Sequence, residues 1–224
     1  MWAGAAAFDM DYGTWVKDFH RYTCELRAAL RAHDPDNKLR LLVEVGLAHY
    51  DEYFCLKAVA ATTDVFQLIS GIWLTPAERC FIWMGGSRPS ELYKIMIPQI
   101  ETLTEEQLLR ICNLEESSRQ AEDAISQGME VLQQSLADTV AASLLGSSPN
   151  VVDYMGQMAM ALRKLGTVES FVQQADNLRQ QTLHQMNAIL TTHQSAQALL
   201  ALGDYRTRLR ALSSMWSARP QGRG

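Results

Sequence analysis

Residues 104–144 decide the fold, and they read TEEQLLRICNLEESSRQAEDAISQGMEVLQQSLADTVAASL. Thr104 and Gln107 form a capping box, in which each side chain bonds a free backbone N–H of the first helical turn. Apolar residues then follow one helical seam: Ile111, Leu114, Ala121, Ile125, Met129, Leu132, Leu136, Val140 and Leu144. About 40 residues without a proline make a rod of roughly 60 Å, which is longer than a compact domain is wide. The rod must project, kink or pair, and we expect a kink near Asn113 or Gly128.

Helical periodicity also runs through the residues before this stretch. Large apolar side chains recur at steps of three or four and predict one buried face: Trp15, Phe19, Tyr22, Leu26 and Leu30. The turn at 34–37 ends that helix, and a second, well buried helix is expected over about 38–61. A further helix begins at the capping box of Thr75 and Glu78. We expect Gly85-Gly86 to end it.

The residues after 144 carry the same periodicity. The linker-like stretch is 146–149, and Asn150 with Asp153 is expected to cap the helix that follows. Gly166-Thr167 is expected to end that helix and open another, and a last helix should run from about 194 to 217. Neither an internal repeat nor strict alternation of apolar and polar residues appears. The sequence therefore predicts an all-α helical bundle with long antiparallel helices.

Composition excludes several functional classes. The 224 residues are 47% apolar and carry a formal net charge of −5, which argues against a polyanion-binding protein. No apolar run approaches the roughly 18 residues that a membrane helix needs, and the first residues lack the basic start of a secretory signal. We expect no membrane partner. The cysteines are scattered rather than clustered, as in a reducing compartment: Cys24, Cys55, Cys80 and Cys112.

Enzyme and metal signatures were not found in the sequence. The histidines form neither a His-Glu-x-x-His zinc helix nor a Glu-x-x-His pair: His20, His33, His49, His184 and His193. His184 and His193 should face opposite sides of one unbroken helix. The nucleophile elbow, the phosphate loop and the dinucleotide fingerprint are also missing. We therefore predict no catalytic residue, no metal ligand and no cofactor.

Two polar features have ordinary structural interpretations. Residues 85–88, Gly-Gly-Ser-Arg, could form an anion-binding nest, but a glycine pair after a helix usually just ends it. The acidic pairs Glu115-Glu116 and Glu122-Asp123 could serve acid–base catalysis. A solvated acidic face explains them more simply.

The C-terminal residues form a basic amphipathic segment. Arginines and apolar residues alternate at helical spacing over its length: Arg206, Arg208, Leu209, Arg210, Leu212, Met215 and Trp216. A helix of this kind fits a calmodulin-type groove. The alternative is a terminal helix that packs Leu209, Leu212 and Trp216 on the bundle while its arginines face the acidic long helix.

Flexible apolar residues are the last feature. Met155, Met158 and Met160 are clustered within a chain of ten methionines. Because methionine fills irregular space, these side chains are candidates to line a cavity for an acyl or other apolar ligand. Ordinary core packing is the alternative.

Ordered sequence blocks over residues 8–220 resemble the C-terminal region of plant TGA-class bZIP transcription factors, also called the delay-of-germination domain. The blocks are 7–12 (AFDMDY), 48–50 (AHY), 64–66 (DVF), 75–80 (TPAERC), 83–86 (WMGG), 89–92 (PSEL), 120–124 (QAEDA), 133–138 (QQSLAD), 174–179 (QADNLR) and 208–214 (RLRALSS). The resemblance implies one all-α regulatory domain over 8–219. We expect disorder at 1–7 and 220–224.

The resemblance also implies partners. In this family an N-terminal basic region and leucine zipper bind TGACG-type promoter elements and form homo- or heterodimers, and neither is present in these 224 residues. The region similar to this chain meets NPR-type BTB/ankyrin co-activators of the salicylate response and CC-type glutaredoxins. Relatives also bind calmodulin, which favours the first interpretation of the C-terminal segment. The implied location is the nucleus, with the cytoplasm also open.

One departure from the family concerns redox control. Some members carry two cysteines six residues apart, where this chain has Cys112 and Ser118. The resemblance therefore makes Cys112 a redox candidate, acting through a distant thiol, a glutathione adduct or a partner chain. The alternative is a buried thiol that serves only in packing.

Overall fold

The computed structural model describes residues 2–142 and 151–219. Over these ranges it consists of seven α-helices and one 3-10 turn, without a β-strand, which confirms the predicted all-α bundle. The elements are α1 (Trp2–Arg31), α2 (Asp36–Ser70), α3 (Pro76–Arg79), α4 (Pro89–Met96), the turn Ile97–Gln99, α5 (Glu105–Ala142), α6 (Val151–Ile189) and α7 (Thr192–Ser217). In the same ranges no helix is both long and apolar enough to cross a membrane.

An aromatic stack between α1 and α2 forms the main core. The predicted face of α1 is buried as expected, with Trp15, Phe19 and Tyr22 at most 3% exposed. Trp15 Nε1 donates a hydrogen bond to the His49 carbonyl oxygen at 2.7 Å. The helices approach so closely that a Cβ on Gly46 would lie 2.1 Å from the Tyr22 hydroxyl. A glycine is required at this crossing.

The ends of α1 and α2 differ from the expectations. α1 begins at Trp2, so residues 2–7, expected to be disordered, belong to its first turns. The alanines there have the highest helix propensity of any residue. α2 extends past residue 61 and is interrupted at Asp64, whose side chain accepts hydrogen bonds from the backbone N–H of Phe66 and Gln67. Asp64 thus acts as an internal N-cap.

The two longest helices, α5 and α6, pair antiparallel. Lys164 on α6 donates hydrogen bonds to the Ser135 carbonyl and the Thr139 hydroxyl on α5, and a Cβ on Gly128 would lie 2.6 Å from the Phe171 ring. Because α6 supports α5 along its length, α5 runs unbroken and the kink expected near Gly128 or Asn113 is wrong.

The break expected at Gly166-Thr167 is also wrong. α6 continues through both residues, and the Thr167 hydroxyl donates to the Lys164 carbonyl oxygen one turn earlier at 2.6 Å. α6 ends only at Ile189, so His184 and His193 belong to different helices rather than to one. The predicted linker at 146–149, the Asn150 cap and the tail at 220–224 lie outside the described residues.

Candidate functional site

Arg179 on α6 organises the centre of the molecule. Its guanidinium donates to the carbonyl oxygens of Trp83, Met84 and Ser87 and pairs with Asp176. These carbonyls converge because Met84 and Gly85 both have positive φ, 44° and 73°, in a turn closed by hydrogen bonds between Trp83 and Gly86. The carbonyls of residues 83–87 therefore bind a cation of the protein itself, which argues against the anion-binding nest considered at 85–88. The helix before them, α3, has already ended at Arg79.

A buried lysine completes this centre. Lys57 on α2 is fully buried, and its ammonium pairs with the same Asp176 oxygen that accepts from Arg179. Burial lowers the pKa of Lys57 to about 8, although the Asp176 charge acts in the opposite direction. We call the six residues Lys57, Trp83, Met84, Ser87, Asp176 and Arg179 the Arg179 cluster.

Two buried glutamates anchor the short helices around the cluster. Glu78 completes the predicted capping box with Thr75. Glu122 on α5 is 1% exposed and accepts hydrogen bonds from the Ser90 N–H and hydroxyl at the start of α4. The interpretation of Glu122 as part of a solvated acidic face is therefore wrong. Its charge is stabilised by the N-terminus of α4 and by Arg88 at 3.5 Å.

A cavity of about 90 Å³ lies beside the Arg179 cluster, between α2, α4, α6 and α7. Its walls are mostly apolar, with three charged side chains among them: Tyr50, Tyr53, Phe54, Leu74, Glu78, Leu92, Ile95, Arg179, Leu183, Leu202, Tyr205, Arg206 and Leu209. Burial raises the pKa of Tyr50 to about 12 and raises that of Tyr53 still further. Both phenols are therefore neutral donors at any physiological pH.

The C-terminal segment divides into an embedded half and an exposed half. Arg206 stacks its guanidinium 4.8 Å from the Trp15 ring centroid and donates to the Tyr12 hydroxyl at 3.2 Å. Leu209 and Arg210 are half-buried, whereas Arg208 is exposed. Leu212, Met215 and Trp216 are 54%, 71% and 58% exposed. Neither interpretation of this segment is complete, because only its first half packs on the bundle.

The methionine cluster does not line the cavity. Met155 and Met160 are 64% and 44% exposed on α6, Met158 is half-buried, and none of the three is among the cavity residues. The structure thus places these side chains on α6 outside the walls of this cavity, and their role in binding an apolar ligand stays a prediction.

The thiol of Cys112 is exposed on α5, as are the other three thiols, and all four are free. The interpretation of Cys112 as a buried packing residue is therefore wrong. Ser118 is buried, with its hydroxyl 3.1 Å from that of Tyr93 and 3.4 Å from that of Thr182. Six residues along one unbroken helix separate their Cα atoms by about 9 Å, beyond the span of a disulfide.

Sequence reasoning missed the Arg179 cluster, although one signal was visible. Lys57 is the single charge in the apolar run Phe54–Ala61, and a lysine on a buried helix face requires a partner. The partner lies 119 residues away, so spacing could not identify it. The described residues bring together no group of three or more His, Cys, Asp or Glu side chains that could hold a metal ion.

Comparison with known proteins identifies the family. The model described as seed dormancy control, DOG1, matches residues 22–98. Transcription factor TGA2.2 of Oryza sativa subsp. japonica is 62% identical over 97% of this chain and 66% of its own length. Transcription factor TGA2 of Arabidopsis thaliana is 59% identical over 97% of this chain and 67% of its own length. The bZIP transcription factor TGA10 of Nicotiana tabacum is 55% identical over 99% of this chain.

The chain spans 66% of the length of TGA2.2 and 44% of that of TGA10, so it corresponds to one part of those proteins. Five of the blocks that carry the resemblance contribute to the walls of the cavity beside Arg179: 75–80, 83–86, 89–92, 174–179 and 208–214. The first and last of them are also joined by the Ser213 hydroxyl, which accepts from the Ala77 N–H. The chain belongs to the TGA class of plant bZIP transcription factors and forms a regulatory domain of such a factor.

Proposed function

We propose that this domain recruits an NPR-type BTB/ankyrin co-activator to a nuclear, dimeric factor that binds TGACG-type promoter elements through its basic region and zipper. The observation that supports this is the exposed half of α7. Leu212, Met215 and Trp216 project from a rigid helix, and Arg219 lies 3.3 Å from the Trp216 ring centroid. Tryptophan and arginine dominate the binding energy of protein interfaces.

The fold keeps this surface rigid. Ser213, 4% exposed, faces the bundle between these residues, and its hydroxyl accepts a hydrogen bond from the Ala77 N–H of α3 at 2.9 Å. The exposed side chains are thus presented without a large loss of conformational entropy on binding, which favours affinity.

Titration calorimetry of the chain with the co-activator tests this proposal. Trp216→Ala should weaken binding about thirtyfold, the effect of losing about 2 kcal/mol. Leu109→Ala is the matched control, because Leu109 is 63% exposed on α5. Absence of a complex at tens of micromolar, or equal losses in both variants, would contradict the proposal.

Two further partners follow from exposed groups. We propose that calmodulin contacts the same end of α7, so it should compete with the co-activator when calcium is present.

We propose that a CC-type glutaredoxin meets the exposed Cys112 thiol. Cys112→Ser should then abolish co-purification of that glutaredoxin, whereas Cys24→Ser, at another exposed thiol, should not.

The cavity beside the Arg179 cluster supports a second candidate function, the binding of an apolar small molecule such as an acyl compound. Leu92, Leu183 and Leu202 supply apolar walls. A cavity of about 90 Å³ can take only the apolar end of such a molecule, so native mass spectrometry of the purified chain should show a co-purifying mass of a few hundred daltons whose remainder lies outside the cavity. A bare chain would favour scaffolding alone.

A further inference from the structure

A second cleft, of about 300 Å³, opens between α1 and α7. At one end of the cleft the two helices approach closely, since a Cβ on Gly203 would lie 2.7 Å from the Thr23 side chain. Toward the start of α1 the gap is lined by longer side chains, namely Val16, Lys17, Phe19, His20, Arg206 and Arg210, with Thr207 beside them.

The charge of this cleft is one-sided. Lys17, Arg206 and Arg210 line it without any carboxylate among the lining residues, and none of the three forms an ion pair anywhere in residues 2–142 and 151–219. Arg27 shows the contrast, since one turn beyond Thr23 it is neutralised by Asp204, which is not part of the cleft. Lys17 and Arg210 therefore share one concave surface, and the embedded Arg206, whose guanidinium stacks on Trp15 and donates to the Tyr12 hydroxyl, adds its charge behind them in a protein of net charge −5.

One nitrogen of the Arg210 guanidinium has no acceptor in the described part of the chain, although the Arg210 side chain also hydrogen-bonds Tyr12. Arg210 Nη1 is buried and lacks a hydrogen-bond acceptor among the described residues. Buried polar groups in folded proteins are nearly always hydrogen-bonded, so an unpaired guanidinium N–H indicates a missing acceptor. The hydroxyls of Thr23 and Thr207, which also line the cleft, donate to the backbone carbonyl oxygens of Phe19 and Gly203.

We propose that this cleft binds a phosphate monoester. Such a group carries a charge of about −1.5 to −2 at neutral pH and has three acceptor oxygens, so it can accept from Arg210 and Lys17 while the embedded Arg206 adds to the positive field. The overall negative charge of the chain disfavours a long polyanion, whereas a compact dianion experiences mainly the local field. The site is separate from the exposed end of α7 and does not depend on the proposed co-activator contact.

Calorimetric titration of the full chain at constant ionic strength tests the site, with inorganic phosphate as the first probe and sodium chloride as the reference. Binding should be saturable, and Lys17→Gln and Arg210→Gln should each weaken it about tenfold. Lys17 is exposed, so its substitution leaves folding intact. Arg208→Gln removes the same charge from an exposed position on α7 outside the cleft and should change the affinity less than twofold.

Further probes distinguish the sources of the phosphate. A phosphoserine peptide that binds more tightly than free phosphoserine indicates a phosphorylated protein segment, and equal affinities indicate a small phosphorylated metabolite; both support the site. Phosphate heats no larger than those of chloride would overturn the proposal. So would an equal loss in Arg208→Gln, or binding of a glutamate-rich peptide without binding of phosphate.

Discussion

Asp176→Asn should destabilise the domain far more than Lys57→Met, although each removes one member of the same ion pair. Asp176 neutralises two buried cations, since one of its oxygens accepts from both Lys57 and Arg179. Without its charge, two cations that are at most 4% exposed are left facing each other. Breaking a buried pair in this way costs about 3 to 5 kcal/mol.

Lys57→Met has a different outcome. It removes one cation, leaves the Asp176–Arg179 pair in place, and fills the volume of the lysine stem with a flexible apolar chain. The lowered pKa of Lys57 shows that desolvation outweighs the attraction of Asp176. We therefore expect a change in the free energy of unfolding of no more than about 1 kcal/mol, in either direction.

Urea denaturation followed by circular dichroism measures both effects. With an m-value of about 3 kcal/mol/M, Asp176→Asn should lower the midpoint by about 1 to 1.7 M. The double variant should be more stable than Asp176→Asn alone, because the second cation is then gone. Lys38→Met, at a lysine 53% exposed, is the control and should change stability by less than about 0.5 kcal/mol. Equal losses in Asp176→Asn and Lys57→Met would refute this account of the cluster.

Three other changes test separate features. The folded pKa of Lys57 lies below its unfolded value of 10.5, so between about pH 8 and 10.5 the unfolded chain binds one proton more than the folded chain. The free energy of unfolding should therefore rise with pH in this range relative to that of Lys57→Met. If the two proteins show the same dependence of unfolding free energy on pH, the lowered pKa is contradicted. Gly46→Ala should lower the melting temperature, because the added Cβ would clash with Tyr22. Gly166→Ala has open space around it inside α6 and should stabilise the domain by about 0.5 to 1 kcal/mol. If Gly166→Ala destabilises the domain, a helix end at residue 166 would be indicated. Ser118→Cys should form no disulfide with Cys112 in the folded chain, as checked by intact mass without reductant, and a bridged native product would mean that α5 unwinds there.

Local rules predicted the helices well where a side chain and its partner are close in sequence. The capping boxes at Thr75 and Thr104 are present, as is the buried face of α1. The internal cap at Asp64 follows the same rule, because Gln67 lies three residues after it. This cap could therefore have been predicted from the sequence.

The failures arise where a neighbouring helix decides the outcome. Gly166 is a helix breaker by local preference, yet α6 gains more from pairing with α5 than it loses at one glycine. Glu122 looked like surface charge because its partners, at the start of α4, are 32 residues away. The Arg179 cluster joins three segments in the same manner, so periodicity could indicate that Lys57 is buried but not what it meets.

The embedded position of Arg206 limits the ways in which a partner protein can bind α7. A clamp that enclosed this helix on every side would have to pull the guanidinium away from Trp15 and Tyr53 and leave the aromatic stack of α1 open to water. Binding of that kind would unfold the domain, and the fluorescence emission maximum of Trp15 would shift to longer wavelength. A partner that leaves Trp15 fluorescence unchanged must instead approach α7 from one side, at its free end.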